Sequence, residues 1–143
     1  MKQIGFRAAM AAGLVLGLAG VHSAGAQTAS LEFGKFEYMN SCATCHGDNG
    51  KGNGPVAELL NAAPADLTQL QKKNGGVFPV SATYSMIEGS ADIRAHGSRE
   101  MPAWGARYRE RVANDPEMGL IAAEQYPRMR ILALIEYISQ IQE

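Results

Sequence analysis

The chain of 143 residues is short of the residue types that usually carry chemistry: two cysteines, three histidines, one tryptophan and aromatics at only 7%. Each scarcity excludes something. Two cysteines cannot make the multi-bridge framework of a small secreted domain. A bridge between thiols separated by two residues would close too small a loop to remove much chain entropy. Lysine and arginine number 13 against 14 acidic residues, so the basic excess expected of a nucleic-acid binder is missing. No apolar run beyond residue 26 is long enough to span a membrane. No stretch alternates at period two, which argues against strands, and no internal repeat or low-complexity tail is found.

What is present begins with a three-part N-terminus. Lys2 and Arg7 precede an uncharged, mostly apolar run from Ala8 to Val21, and Ala24-Gly25-Ala26 is a small-x-small cleavage pattern. This is the organisation of a secretory signal peptide, so residues 1–26 are expected to be removed and residues 27–143 to form one domain. Removal of Lys2 and Arg7 takes the basic count from 13 to 11 against 14 acidic side chains, a formal charge of −3. The mature chain is expected to be exported and soluble, with no stable membrane insertion and no nucleic-acid partner. His22 leaves with the leader, so His46 and His96 remain.

The rest reads as short helices joined by breaker-rich loops. Residues 31–41 form an apolar stripe at helical spacing behind Ser30, an expected N-cap. Four glycines between Gly47 and Gly54 make a loop, and a helical turn is expected over 56–60. Asp66 is expected to cap a helix over 67–73 that ends at Gly75-Gly76, and Gly89 to close another over 79–88. Residues 90–105 are irregular, 104–112 weakly helical, and a short helical piece runs from about 114 to 125. Pro127 suits the first turn of a last helix, along which Ile131, Leu134, Ile135, Ile138 and Ile141 recur at helical spacing. The fold class is therefore all-α with long loops. Such pieces make a thin core, so something else is expected to fill the middle.

Cys42-Ala43-Thr44-Cys45-His46 offers that filler. Two thiols on one helical turn can add to the two vinyl groups along one edge of a haem, while the next residue turns its imidazole to the iron; the pattern is a c-type haem attachment signal. Two other readings use the same residues. A dithiol exchanger also carries Cys-x-x-Cys, although in a strand–helix context that is missing here. A zinc site could draw on Cys42, Cys45, His46 and His96, with adjacent Cys45 and His46 an awkward pair of ligands.

Beyond the motif, the chain resembles monohaem class I cytochromes c over about residues 31–141. The resemblance rests on Gly34-x-x-x-Tyr38-x-x-x-Cys42 against Leu134 and Tyr137 in the last helix, on Gly54-Pro55 after His46, and on Met101-Pro102 in a loop after a helix closed by glycine. It implies an all-α class I cytochrome c fold wrapped around one haem c, attached covalently through Cys42 and Cys45. The iron would be held by His46 and Met101, with His96 the rival distal ligand. The Pro55 carbonyl would accept the His46 Nδ1–H and fix its tautomer. Apolar lining is expected from Leu59, Leu67, Leu70, Val77, Phe78, Tyr84 and Ile87. Arg94, Arg99, Tyr84 and Trp104 are candidate partners for the propionates. The implied function is periplasmic one-electron transfer between redox partner proteins, as a free carrier, a monomer, or the cytochrome subunit of a dehydrogenase or oxidase system, and not an enzyme by itself. A five-coordinate haem enzyme or gas-binding sensor, and a thiol-disulfide exchanger, are the alternatives. Lys51, Lys72 and Lys73 suggest a weak basic rim for an acidic partner. Residues 108–126 exceed what a minimal member of that family needs.

Overall fold

Helix is the only regular structure among the described residues of the computed structural model, which covers 22–91, 101–113, 115 and 120–143. Two long helices, α1 (His22–Ser41) and α6 (Leu120–Gln140), bracket four shorter ones: α2 (Ala43–His46), α3 (Leu70–Lys73), α4 (Val80–Glu88) and α5 (Trp104–Ala113). Single 3-10 turns lie at Ala57–Leu59 and at Leu67–Gln69, the latter running into α3. No helix among the described residues is long and apolar enough to cross a membrane.

α6 is the central element. Its Ile131, Leu134, Ile135 and Ile138 are all buried, at about 1.5–3 kcal/mol of burial each. α1, α4 and α5 pack against that stripe. The crossing with α1 is the tightest contact. A Cβ added to Gly34 would run into the carbonyl oxygen of Ala133, with its carbon at 2.7 Å and the Tyr137 Cβ at 3.2 Å. Beside it Tyr38 and Tyr137 meet with ring centroids 5.1 Å apart. The glycine inside a helix, expensive by propensity alone, is what lets the two backbones touch.

α5 turns Trp104, Tyr108 and Val112, one per turn, into the core. Its Gly105 stands where a Cβ would lie 2.7 Å from the Glu88 carbonyl oxygen, so α4 ends directly against α5. Gly89 closes α4 in the left-handed conformation at φ 105°, as expected. Asp66 also caps as expected, accepting from the Thr68 amide at 2.9 Å. The residues after α6 clip the start of α3. Gln142 donates to the Leu67 carbonyl at 2.8 Å and accepts from the Gln71 amide at 2.9 Å, while the Glu143 amide reaches Thr68 at 2.9 Å.

Three expectations are corrected. Ser30 is not an N-cap: α1 extends back through 22–29, and the Ser30 hydroxyl donates to Glu136 at 2.5 Å. Pro127 is not in a first turn but inside α6, because the helix extends back to Leu120 and Tyr126 packs against the core on the near side of the proline. The separate piece expected at 114–125 is in part this extension; residues 114 and 116–119 lie outside the described residues.

Gly34→Ala is expected to destabilise the protein by about 1–3 kcal/mol, the range for overpacking a closed contact, measured by chemical denaturation. Alanine's better helix propensity predicts the opposite sign, so the experiment separates propensity from packing. A second prediction concerns Glu88, whose carboxyl is held below its ordinary 4.5, first by the hydrogen bond from Arg109 at 3.0 Å. A lowered folded value contributes stability that is complete above 4.5 and disappears as the pH falls through that lowered value. Glu88→Gln should therefore lower the unfolding midpoint slightly at neutral pH, and the gap from the parent chain should close in acid.

Candidate functional site

The backbone carries α1 straight into the motif. The Cys42 amide bonds to the Tyr38 carbonyl at 2.8 Å, and the amides of Cys45 and His46 both return to the Cys42 carbonyl at 3.1 and 2.9 Å. Cys42, Cys45 and His46 thus share a single turn, and the two thiols are not joined. They are unlike in setting. Cys42 is buried, and its thiol is pushed up to about 12 by burial first, then by the charge of Glu37 and by Cys45. Cys45 and His46 are half-buried.

The glycine loop folds back onto this turn and satisfies its exposed carbonyls. Amides of Gly52, Gly54 and Val56 reach the carbonyls of His46, Cys45 and Thr44 at 2.8, 3.0 and 3.2 Å. Such an approach requires glycine at two places. A Cβ on Gly54 would lie 2.6 Å from the Ala43 carbonyl oxygen, and one on Gly52 would collide with the carbonyl of Pro64. Tyr38 fastens the other end of the loop, its hydroxyl donating to the Gly47 carbonyl at 2.7 Å.

That close passage of Pro64 beneath Gly52 delivers the partner of the histidine. His46 Nδ1 donates to the Ala65 carbonyl at 2.9 Å. A carbonyl can only accept, so the proton belongs on Nδ1 and the Nε2 lone pair is free in the neutral ring. The expected acceptor, Pro55, is corrected: the ring nitrogen instead meets the Ala65 carbonyl, and Pro55 is exposed.

Behind the motif lies one apolar wall. Cys42, Ile87 and Trp104 are buried members of the same cluster, and Leu67, Leu70, Phe78, Tyr84 and Met101 pack against it. Met39, Met86 and Met129 are exposed, so Met101 is the methionine, among those described, that joins this cluster. Two expected lining residues fail: Leu59 is 81% and Val77 67% exposed. Arg94, His96 and Arg99 lie outside the described residues. Trp104 is stacked under the Arg107 guanidinium at 5.0 Å. Lys51 pairs with Glu143 at 2.8 Å, which reduces the expected basic rim to Lys72 and Lys73. No group of three or more His, Cys, Asp or Glu side chains among the described residues could hold a metal ion; His96, the fourth ligand of the zinc reading, lies outside them.

Compared with family models, curated proteins and solved structures, the chain matches none.

Sequence reasoning missed a buried polar junction next to this wall. Glu37 is only 2% exposed; it accepts from the Tyr108 hydroxyl at 2.7 Å and from Ser41 at 3.0 Å, and pairs with Arg130. The spacing of Trp104, Tyr108 and Val112 could have revealed the buried face of α5. Nothing in the local pattern sets Glu37 apart from the exposed Glu32 on the same helix.

The arrangement suits a held imidazole and a sheltered thiol better than thiol exchange, where the attacking sulfur is accessible and its pKa is lowered. In the folded chain with both thiols free, at pH 8, Cys42 should therefore stay unmodified by iodoacetamide for a time that fully labels a free surface thiol. Burial both shields the sulfur and disfavours its thiolate. Rapid labelling at Cys42, read by peptide mass mapping, would restore the exchanger.

Proposed function

We propose that the chain is an exported one-electron carrier of the class I cytochrome c type, acting in the periplasm between redox partner proteins. Cys42 and Cys45 would hold one haem c covalently, and His46 Nε2 and the Met101 thioether would hold its iron. The residues present suit that group. Two unjoined thiols lie on one turn, the histidine has its Nδ1 proton engaged, and a soft sulfur donor packs against the wall that includes Cys42. The last of these carries the reading, because three other described methionines sit on the surface. The Gly34 crossing of α1 over α6 adds support from the same family pattern.

The group would supply, when bound, reversible one-electron exchange between a donor and an acceptor protein. The chain's own residues do the rest. Ala65 holds the His46 ring in one tautomer, and the glycine loop holds the turn that carries it. As a ligand, the Met101 sulfur would favour the reduced metal and raise the potential. Ile87, Trp104, Leu67 and Tyr84 keep water from the interior. If His46 and Met101 both hold the iron, the chain offers it two protein donors and leaves no site for a substrate, which would separate a carrier from a haem enzyme or gas sensor.

The test is a pair of spectra and a mass. Produced with a haem-attachment apparatus, the mature protein should carry one covalent haem and, when oxidised, show the red-end absorption band of iron–sulfur ligation. Met101→Ala should keep the haem, lose that band and lower the potential by on the order of 0.1 V, within the ~0.8 V range that axial ligands command. A haem-loaded parent without the band favours the five-coordinate alternative, and a parent without haem defeats the proposal.

A further inference from the structure

The Glu37–Arg130 pair is a costly way to join three helices. Glu37 comes from α1 and Arg130 from α6, with side chains 2% and 14% exposed. Tyr108 of α5 donates to Glu37 Oε1 at 2.7 Å, and Ser41 does so at 3.0 Å. Arg130 lies over the rings of Tyr126, Phe33 and Tyr108, at 4.6, 5.3 and 5.4 Å from their centroids, and its Nε is buried without a partner. Taking two charges out of water commonly costs as much as their attraction returns, and well-packed apolar residues often serve stability equally well. The pair therefore calls for a role other than holding the helices.

Its direction supplies one. Arg130 sits against Phe33, one turn before Glu37, on the side away from the motif. The carboxylate instead bonds Ser41, one turn after Glu37 and adjacent to Cys42. Tyr108 is shared by both ends, its hydroxyl on the carboxylate and its ring under the Arg130 guanidinium, so the Ser41 bond is what sets the direction. The negative end of the pair thus faces the attachment turn, and the positive end is drawn back toward α6. Ferric iron carries one more positive charge than ferrous iron, and in a poorly screened interior a fixed carboxylate favours the ferric form.

We infer that the buried Glu37–Arg130 pair tunes the reduction potential of the covalent cofactor, with Glu37 holding it down and the Tyr108 hydroxyl tempering that effect. The inference rests on the electron-carrier reading. Glu37 is a positioning residue for charge, not a ligand.

The experiment is a spectroelectrochemical titration of the haem-loaded mature protein and three variants, each also unfolded in denaturant. Glu37→Gln removes the charge and should raise the midpoint potential. Tyr108→Phe strips a donor from the carboxylate and should lower it. Glu37→Asp keeps the charge and should stay close to the parent. Both Glu37→Gln and Tyr108→Phe loosen the same junction, so a merely structural role predicts shifts of one sign that follow the loss of stability. Shifts of the same sign, or no shift in Glu37→Gln, overturn the inference. If Glu37→Gln does not retain haem, Tyr108→Phe decides: a lowered potential supports the tuning role, and an unchanged or raised one ends it. A parent that carries no covalent haem overturns the carrier reading and this inference together. A loaded parent indifferent to these changes overturns the inference alone.

Discussion

The contact between the backbones of α1 and α6 at Gly34 is the constraint on which the remaining architecture depends. Because no Cβ separates the helices there, the rings of Tyr38 and Tyr137 meet at a tilt of 48° on one side of the crossing, and Ser30 reaches Glu136 further along. α1 then points its C-terminal end toward the interior and delivers Cys42 as a buried side chain. α5 and α4 complete the enclosure, each seated on the apolar stripe of α6. Widening that single contact would move the motif relative to everything it packs against, although the motif lies two turns away from it.

A second dependence runs through the loop after the motif. The chain uses its glycines to bring backbone onto backbone, so that amides, rather than side chains, cap the Cys42–His46 turn. The histidine partner arises from the same economy, since only the passage of Pro64 beneath Gly52 allows the Ala65 carbonyl to reach the ring. The imidazole is therefore oriented by main chain, which has few alternative positions, and not by a side chain that can swing away.

Much of this was legible in sequence, and the reasons differ from place to place. The helical character, the stripe on α6, the caps at Asp66 and Gly89 and the closeness signalled by Gly34 are local patterns with short-range physical causes. Met101 stood out because a methionine in a breaker-rich loop differs from methionines on helix faces, and among the described methionines it is the one packed inward. The partner of His46 was not legible: Pro55 and Ala65 both lie in breaker-rich stretches, and only the folded path of the loop decides which carbonyl arrives. Nor was the burial of Glu37, which depends on an arginine 93 positions later. The exposure of Leu59 and Val77 was misread because an apolar residue in a turn carries no sign of the side on which the turn will lie.

The clip made by Gln142 and Glu143 has a temporal meaning. Gln142 secures Leu67, which lies 75 positions earlier, and so steadies the segment that begins next to Ala65. The stretch that supplies the His46 partner is therefore steadied only after distant chain has folded onto it, so that the ring's setting depends on residues remote from the motif in sequence.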